Sequence, residues 1–569
     1  MNREERGTKK FFVEIVGPSR YDDDGYVIQW LRAFAPSNSL ACLFALVQDA
    51  GECRVLGPDV DIVIHAYDER HTRIPVRRIV RRIAANERRG VVFLVGVQSN
   101  QFPRAADLAR TFRAAGVQVA IGGFHVSGCQ AMLADVSPEI KEIQALGAAI
   151  FAGEAEGRID GLLADAYRGS MRSIYDYLGD PPELQGSVTP VLPRALARRS
   201  MFYASFDAGR GCPFECSFCA IINVQGHRSR WRTADDVERL VRANLACGAK
   251  RFFITDDNLS RNKNWEAIFD RLIELRETEG IRLKLTMQVD AMAHTVPGFI
   301  ARAARAGCKR VFIGLENIRP ENLAAANKRQ NKVSEYRAML QAWRSVGVIT
   351  YAGYVLGFPA DTPESIEHDI RTIQQELPID ILEFFVLTPF PGSADHKALR
   401  EGGVWMDPDL NKYDVEHVTT HHGRMSEREW QTAYAAAWHL YYTPEHVETL
   451  LRRAKAMGAG TGHVASAILS YYGSYRLEKL HALQCGLVRR RVRATRRPGM
   501  PKENPLLFYP RRVWQTFAIY MALGWYALRL ERLRRRIEKD PSAAKYTDRA
   551  LMPGADRDEG ETQPSTGEL

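Results

Sequence analysis

Six apolar segments alternate with amphipathic segments between residues 196 and 400, and this alternation restricts the fold more than any other feature of the chain. Strands that alternate with helices of this length form a parallel sheet covered by helices. Six such units predict a partial (β/α)6 TIM-like barrel that is open on one side. The predicted strands lie within the segment FYASFDAGRG and at residues 251–258, 282–290, 309–317, 350–359 and 381–393.

The region before this barrel, residues 1–195, shows a second alternation with strands at residues 60–67, 91–97, 117–123 and near 148–157. This pattern predicts an α/β domain with a doubly wound parallel sheet, in which ligands bind beyond the carboxyl ends of the strands. Three loops follow strands there: "GVQSNQF", "IGGFHVSG" and "AGEAEG". Their glycines and small polar residues allow a backbone to approach a ligand closely.

The remaining chain is predicted to form a helical C-terminal region at residues 401–551, with one helical stretch running from about 463 to 497, and a disordered tail at 552–569. A length of 569 residues agrees with two or three domains. Nine cysteines in so long a chain do not form a disulfide framework. The charged start "MNREERGTKKFF" has no signal-peptide core, so we expect the protein in the cytoplasm.

The segment "GRGCPFECSFCAI" places Cys212, Cys216 and Cys219 in a C-x3-C-x2-C pattern after the first barrel strand. A structural zinc site brings two cysteine pairs, and a c-type haem needs a histidine after the last cysteine. A redox pair of Cys216 and Cys219 would leave Cys212 unexplained. A [4Fe–4S] cluster fits better, because three thiolates leave one iron open to a further ligand. The other cysteines read as buried apolar residues.

The cysteine pattern resembles the radical SAM superfamily, and the resemblance extends over about 200 residues through "ITDDN", "FIGLEN" and "YAGYVLGFP". It implies that the cluster is held by Cys212, Cys216 and Cys219. It also implies a set of residues that contact S-adenosylmethionine: Phe218, Asp256, Asp257, Asn258, Glu316, Gly353 and Gly357. For Asp256 and Asp257 the alternative is capping of the next helix.

The same resemblance implies how the reaction starts. The open iron would chelate the amino and carboxylate groups of S-adenosylmethionine. One electron from the reduced cluster would break the bond to the 5′ carbon, and the adenosyl radical would take a hydrogen atom from the substrate. The protein would orient the reactants while the cofactors supply the chemistry. An electron donor such as flavodoxin or ferredoxin is implied as a partner.

Residues 1–195 resemble the cobalamin-binding domain that precedes many radical SAM domains. The resemblance implies cobalamin contacts in the three loops: Gln98, Ser99, Asn100, Gly122, Gly123, Phe124, His125 and Glu154. The sequence departs from some cobalamin proteins in lacking a D-x-H-x-x-G motif, so a histidine on cobalt is not expected. His125 is alternatively an ordinary loop histidine, and the domain a doubly wound fold that has lost cobalamin.

Together these features predict a cobalamin-dependent radical SAM enzyme that methylates an unactivated carbon of a small-molecule or lipid substrate. Alternatives are a non-methylating radical cyclisation, rearrangement or oxidation, and a non-catalytic sensor that binds the cluster and cobalamin. A further alternative, a methylthiotransferase with a second cluster at Cys42, Cys53 and Cys129, fits poorly because that spacing is irregular. No catalytic residue beyond the cofactor contacts is identified.

Residues 476–530 combine positive charge with aromatic side chains. Between 476 and 512 stand eleven Lys or Arg residues and two acidic residues, against a net charge of +10 for the chain. The apolar run at 513–528 is too short and too polar to span a bilayer. It predicts either a helix that packs on the barrel or a peripheral contact with the inner face of a membrane. The sequence contains no recognisable motif that binds the grooves of DNA or RNA, so nucleic acid is not expected as a partner.

Overall fold

A computed structural model describes residues 8–34, 36–200 and 203–553. Most of the tail predicted to be disordered, 554–569, therefore lies outside the described residues. The described residues up to 200 form an α/β domain. Its strands are β1 (Lys9–Gly17), β2 (Gln29–Ala33), β3 (Val60–Asp68), β4 (Gly90–Leu94), β5 (Gln118–Gly122), β6 (Ala149–Ala152) and β7 (Ile174–Asp176). Its helices are α1 (Asn38–Glu52), α2 (Val76–Ala84), α3 (Phe102–Ala114), α4 (Phe124–Met132), α5 (Pro138–Ala145), α6 (Ile159–Arg168) and α7 (Arg194–Ala197).

The N-terminal sheet is parallel, with strand order β3-β1-β4-β5-β6-β7. The order reverses beside β1, which makes the carboxyl ends of β1 and β4 the switch point where doubly wound sheets bind ligands. All five residues of β4 are buried, as expected for a strand covered by helices on both faces. The predicted doubly wound domain is confirmed, although strand β1 was not predicted from its charged surroundings.

The central region contains the predicted partial barrel. Its strands are β8 (Tyr203–Phe206), β9 (Gly209–Arg210), β10 (Arg230–Trp231), β11 (Arg251–Ile254), β12 (Leu285–Asp290), β13 (Cys308–Glu316), β14 (Ile349–Leu356) and β15 (Ile381–Val386). The barrel sheet is parallel with the order β15-β14-β13-β12-β11-β8, so β15 and β8 are the free edges. Strands β9 and β10 pair with each other, antiparallel, outside this sheet. The helices are α8 (Ile221–Gln225), α9 (Ala234–Ala246), α10 (Trp265–Glu277), α11 (Phe299–Ala306), α12 (Pro320–Ala325), α13 (Tyr336–Ser345), α14 (Pro363–Glu376) and α15 (Ala394–Glu401).

Local sequence explains where these helices begin. Thr233 accepts a hydrogen bond from the Asp236 amide, and the Asp236 carboxylate reaches back to the Thr233 amide. This capping box satisfies backbone donors that an isolated helix end leaves unpaired. Thr233 and the acidic residues after it thus set the start of α9.

The C-terminal region packs on the barrel through α16 (Glu427–Tyr441), α17 (Pro444–Ala456) and α18 (Thr461–Glu478), followed by β16 (Gly486–Arg490) and α19 (Pro505–Lys539). Barrel strands and these helices share one apolar core, in which Trp438 and Phe384 pack edge to face at 5.3 Å. The helix predicted through residue 497 is wrong beyond Glu478: β16 instead pairs antiparallel with β2 of the N-terminal region. Within the described residues, no helix has the length and apolar content needed to cross a membrane.

Candidate functional site

The three predicted cluster cysteines lie on one loop, between β9 and α8. All three are free thiols; Cys216 is buried, and Cys212 and Cys219 are half-buried. Burial raises the pKa of the Cys219 thiol to about 12 and also raises the pKa of Cys212. Buried thiols at this spacing become thiolates when bound iron compensates their charge. This set of sulfur donors therefore fits a [4Fe–4S] cluster.

A buried cation lies beside the cysteine loop. Lys328 is 8% exposed, pairs with the Glu316 carboxylate, and places its ammonium 5.6 Å from the centre of the Phe218 ring. Glu316 adopts a φ of +62°, a conformation that costs a non-glycine residue energy and is found at functional sites. Lys328 thus contacts both Phe218 and Glu316, two residues that the resemblance predicts to bind S-adenosylmethionine. Lys328 was not predicted, because no motif marks it.

The polar residues at the end of β11 differ in their surroundings. Asp256 accepts hydrogen bonds from the Ala208 amide at 2.6 Å and from Asn262 at 3.1 Å, so it joins β11 to the end of β8. Asn258 donates to Asp290 at 2.8 Å and so joins β11 to β12. Burial raises the pKa of both Asp256 and Asp257 to about 7. Asp257 lines the central cavity described below. Neither aspartate caps the next long helix, whose N-cap is Asn264.

Gly353 of the fifth barrel strand and Gly357 of the turn after it are closely packed by aromatic rings. A Cβ at Gly353 would lie 3.0 Å from Phe385 and 3.1 Å from Phe312, inside the barrel. Gly357 has a φ of +106°, and a Cβ there would lie 1.8 Å from the Trp430 ring. Both glycines are buried, so a side chain at either position would have to displace the neighbouring aromatic rings.

Replacing Gly357 with alanine is expected to lower the free energy of unfolding by about 3–5 kcal/mol, because both the backbone and the Trp430 ring would have to move. Urea denaturation followed by circular dichroism measures the change. Gly423→Ala is the matched control, since its Cβ meets no atom within 4 Å and its φ is not positive. If Gly357→Ala and Gly423→Ala have the same free energy of unfolding, the predicted steric conflict with Trp430 is wrong.

A cavity of about 800 Å³ separates the carboxyl edge of the N-terminal sheet from the carboxyl ends of barrel strands β8 and β11. A volume of this size suits a large ligand. Its wall on the sheet side is built from the three predicted loops, and the predicted residues that line it are Gln98, Asn100, Gly122, Gly123, Phe124 and Glu154. Gly123, with a φ of +146°, lets two of the loops touch, since a Cβ there would lie 2.2 Å from the Val97 nitrogen. Ser99 and His125 lie outside the cavity lining.

A buried ion-pair network joins the two domains beside the cavity. Arg210, next to the cysteine loop, contacts Glu154 at 2.5 Å, Glu156 at 2.7 Å and Asp207 at 3.1 Å. Arg230 also pairs with Glu154. Burial opposes ionisation of Asp207, but the neighbouring arginines outweigh it and lower its pKa to about 2. Glu154 therefore holds the N-terminal domain to the barrel at the edge of the cavity. The sequence did not predict this role, because the partners are distant in the chain.

The opposite wall of the cavity comes from late in the chain and includes Tyr413, His481 and Leu483. His481 packs on Phe385 at 4.7 Å between ring centres, and its Nε2 lies 3.7 Å from a Glu383 oxygen. Neither Glu383 oxygen nor the His481 Nε2 has a hydrogen-bond partner. Burial raises the pKa of Glu383 to about 8 and lowers the pKa of His481 to about 3, so both are neutral at pH 7. This polar pair beside the cavity was not predicted.

Glu383→Gln is expected to flatten the pH dependence of stability. The carboxyl has a raised pKa when folded, so the native state holds more protons than the unfolded state from about pH 4.5 to 8. Native stability therefore falls as pH rises through that window, and the neutral amide escapes the loss. Well above pH 8 the variant should gain on the order of 5 kcal/mol over wild type, relative to their difference at pH 4.5. Urea denaturation across this pH range measures the free energy of unfolding. Glu367→Gln, which changes an exposed carboxylate, is the control and should follow the wild-type pH profile. A Glu383→Gln profile parallel to that of wild type would contradict the interpretation.

His125 is enclosed behind the cavity wall. The residue is 1% exposed, its ring lies 4.3 Å from the Phe102 ring, and its Nδ1 lies 3.2 Å from the Ser99 hydroxyl. Its Nε2 lies 3.5 Å from a Glu139 oxygen. Because these neighbours surround the imidazole, the structure places it in the helical layer of the N-terminal domain, together with Ser99.

Comparison with known proteins identifies relatives of this architecture. Residues 208–373 match the family described as the Radical SAM superfamily, which confirms the resemblance read from the cysteine loop. The chain is 28% identical over 352 residues to the bacteriochlorophyllide d C-8(2)-methyltransferase of Chlorobaculum tepidum, covering 57% of this chain and 72% of that protein. It is 23% identical over 386 residues to the hopanoid C-2 methylase of Rhodopseudomonas palustris, covering 64% and 70%.

Two solved structures share the fold. The radical S-adenosylmethionine methyltransferase TsrM from Kitasatospora setae, solved with cobalamin and a [4Fe-4S] cluster, aligns with a TM-score of 0.56 at 16% identity, over 80% of this chain and 97% of TsrM. The cobalamin-dependent S-adenosylmethionine radical enzyme OxsB, solved with aqua-cobalamin and S-adenosylmethionine, aligns with a TM-score of 0.54 at 13% identity, over 95% and 82%. At these identities the similarity concerns the fold.

Proposed function

We propose that this protein is a cobalamin-dependent radical SAM enzyme that methylates an unactivated carbon, because residues 208–373 match the radical SAM superfamily. One observation carries the proposal: the loops of the doubly wound sheet and the end of β11 beside the cysteine loop line the same cavity. A methyl carrier on the sheet and a radical source on the barrel would thus face one enclosed space. Proximity of this kind converts a difficult encounter into a unimolecular step.

The residues of the chain divide the work of holding the cofactors. Cys212, Cys216 and Cys219 would bind the cluster, which when bound supplies the electron that cleaves S-adenosylmethionine. Contacts to S-adenosylmethionine are proposed for Phe218, Asp257, Glu316, Gly353 and Gly357, with Asp256 and Asn258 fixing the end of β11. Cobalamin, when bound, supplies the methyl group, and it would lie against Gln98, Asn100, Gly122, Gly123, Phe124 and Glu154. Ser99 and His125 would support this wall from behind.

We propose a lipophilic small molecule or a lipid as substrate. Bacteriochlorophyllide and hopanoid appear in the names of the relatives, and the cavity is lined in part by apolar side chains such as Trp30, Leu483 and Phe385. His481, which lines the cavity and is neutral at pH 7, offers the substrate a polar contact without a charge. A low-potential protein such as flavodoxin or ferredoxin is proposed as the electron donor.

Product analysis separates methylation from the alternatives. Anaerobic, cluster-reconstituted protein with cobalamin, S-adenosylmethionine, a chemical reductant and bacteriochlorophyllide or hopanoid as trial substrate should yield 5′-deoxyadenosine. A methyltransferase should also yield S-adenosylhomocysteine, about one per methylated product. Deoxyadenosine with an altered substrate but without S-adenosylhomocysteine would favour a non-methylating radical reaction. Absence of both products from protein that carries cluster and cobalamin would favour the sensor.

The long helix α19 supports a proposed peripheral contact with an anionic membrane. One face packs on α18, where Leu523 meets Gly473 and Tyr526 meets Tyr472. The other face exposes large apolar side chains over most of the helix: Leu506, Leu507, Tyr509, Val513, Trp514, Phe517, Met521, Trp525 and Leu528. Leu506 is 81% and Trp514 67% exposed. One face of α19 therefore packs on the rest of the protein, as one of the two sequence-based alternatives predicts. The second face is exposed and can enter a lipid interface.

Positive charge surrounds this apolar face. Lys502 and Arg511 stand near its start, and Arg529, Arg532 and Arg535 follow its end. Arginines at the margin of an apolar helix face are attracted to the negative surface of a lipid bilayer and keep their charge in the headgroup layer. We propose that this face attaches the protein to the inner face of the membrane, close to a lipid-soluble substrate.

A further inference from the structure

A group of metal-binding side chains lies behind the cavity wall, outside the proposed cofactor sites. His125 and Cys129 are four residues apart on α4, which places them on the same face of the helix. Glu139 of α5 completes the group, and one ligand atom from each residue lies within 4.8 Å of the other two. The Glu139 oxygen lies 3.5 Å from His125 Nε2 and 4.0 Å from the Cys129 sulfur.

The imidazole of His125 has an unused nitrogen that faces this group. Its Nε2 is fully buried and makes no hydrogen bond, whereas its Nδ1 lies 3.2 Å from the Ser99 hydroxyl. A hydrogen bond from Nδ1–H to Ser99 would leave the Nε2 lone pair directed at Glu139. Metal-binding histidines are oriented in this way by a partner on the other ring nitrogen. A buried lone pair beside a carboxylate oxygen needs a proton or a metal between them.

A candidate fourth ligand lies on α15, a barrel helix that begins just after the segment on which α4 packs. His396 of α15 is 6% exposed, and its Nδ1 also has no hydrogen-bond partner. The two helices are held together because Gly128 of α4 packs on Pro391 and Gly392, just before α15. The group therefore lies at the contact between the N-terminal domain and the barrel.

We propose that His125, Cys129 and Glu139 bind Zn²⁺, with His396 or a water molecule as the fourth ligand. Nitrogen, sulfur and carboxylate donors in a tetrahedral set are the ligands that Zn²⁺ takes in proteins. Binding releases the thiol proton of Cys129 to solvent as the zinc–sulfur bond forms, and the thiolate and carboxylate neutralise the metal charge. Since α4 starts at the loop that contributes Gly123 to the cavity, the metal would fix that wall against the barrel.

Metal binding can be measured without any enzyme activity. The Cys212→Ala/Cys216→Ala/Cys219→Ala protein lacks the cluster ligands, so its metal content reports other sites. Incubated with Zn²⁺ and desalted, it should retain one equivalent by elemental analysis. With Co²⁺ in place of zinc it should show the visible absorption of thiolate-bound cobalt. These results are independent of whether the intact protein methylates anything.

Matched substitutions in that background locate the metal. Adding Cys129→Ser or Glu139→Gln should lower retained Zn²⁺ at least tenfold and abolish the Co²⁺–thiolate absorption. Cys247→Ser and Glu142→Gln, which change a cysteine and a carboxylate outside the group, should leave both signals unchanged. If the cluster-free protein retains less than a tenth of an equivalent, or if Cys129→Ser retains as much as its control, the three residues form a hydrogen-bonded group and the proposal fails.

Discussion

Replacing Cys216 with alanine is expected to remove the iron–sulfur chromophore and to reduce formation of 5′-deoxyadenosine about 10³-fold or more, to the uncatalysed background. The cluster performs the chemistry that protein side chains cannot, so its loss leaves no alternative route. The fold should persist, because the change removes one sulfur atom from a loop and no side chain from the barrel core. Iron content, visible absorption and anaerobic product analysis measure the effect together.

Cys247→Ala is the control for the cysteine prediction. Cys247 is half-buried and lies at the end of α9, away from the cysteine loop, so its removal should leave iron content and absorption unchanged. Equal iron in the Cys216→Ala protein and in wild type would mean that Cys216 is not a cluster ligand. The assignment of the loop would then be wrong, whatever the activity of the protein.

Charging the exposed face of α19 is expected to weaken binding to anionic vesicles about 10³-fold. In the double variant Trp514→Glu/Phe517→Glu, two side chains that are 67% and 55% exposed would no longer enter the lipid interface. Each such side chain contributes roughly 2 kcal/mol when it leaves water, and two together correspond to about three orders of magnitude. The glutamates also repel the anionic surface. Co-sedimentation with vesicles containing anionic lipid gives the partition coefficient.

The vesicle prediction has a control of equal charge. Val404→Glu/Trp405→Glu changes two exposed apolar residues outside α19, at 38% and 43% exposure, and should bind vesicles as wild type does to within a few fold. Raising the salt concentration should weaken wild-type binding, because arginine attraction is screened. If wild-type protein stays in the supernatant at every lipid concentration, the membrane proposal is wrong. The exposed apolar face would then be a candidate contact for a protein partner.

Much of the fold could be predicted because its determinants are local. Each barrel strand is a short apolar run, and Thr233 with Asp236 marks a helix start within four residues. The helix predicted to continue beyond Glu478 was wrong because the conformation there depends on a distant part of the chain. β16 gains its conformation by pairing with β2, more than 450 residues earlier in the chain, and no local pattern reveals such a partner. The strand β1 was missed because its apolar core is only part of a charged segment.

In the candidate site, too, the features set by neighbouring residues were predictable, and those set by contacts between distant residues were not. The three cysteines are close in sequence, so their spacing alone indicated a shared metal centre. The contact of Lys328 with Glu316 and Phe218, and the pairing of Arg210 with Glu154, depend on residues that meet only in the folded chain. The neutral Glu383 beside His481 is likewise a product of burial, which sequence spacing does not report.

The pairing of β2 with β16 orders events during synthesis. The Trp30 indole donates to the carbonyl of Gln484, and both residues line the cavity, so one wall depends on a segment made near the end of translation. At about 5–20 residues per second, the N-terminal sheet emerges tens of seconds before that wall can close. A bulky cofactor can therefore reach the sheet through an open side while the chain is still growing. The last strand then retains it, so the finished protein should exchange cofactor more slowly than it first acquires it.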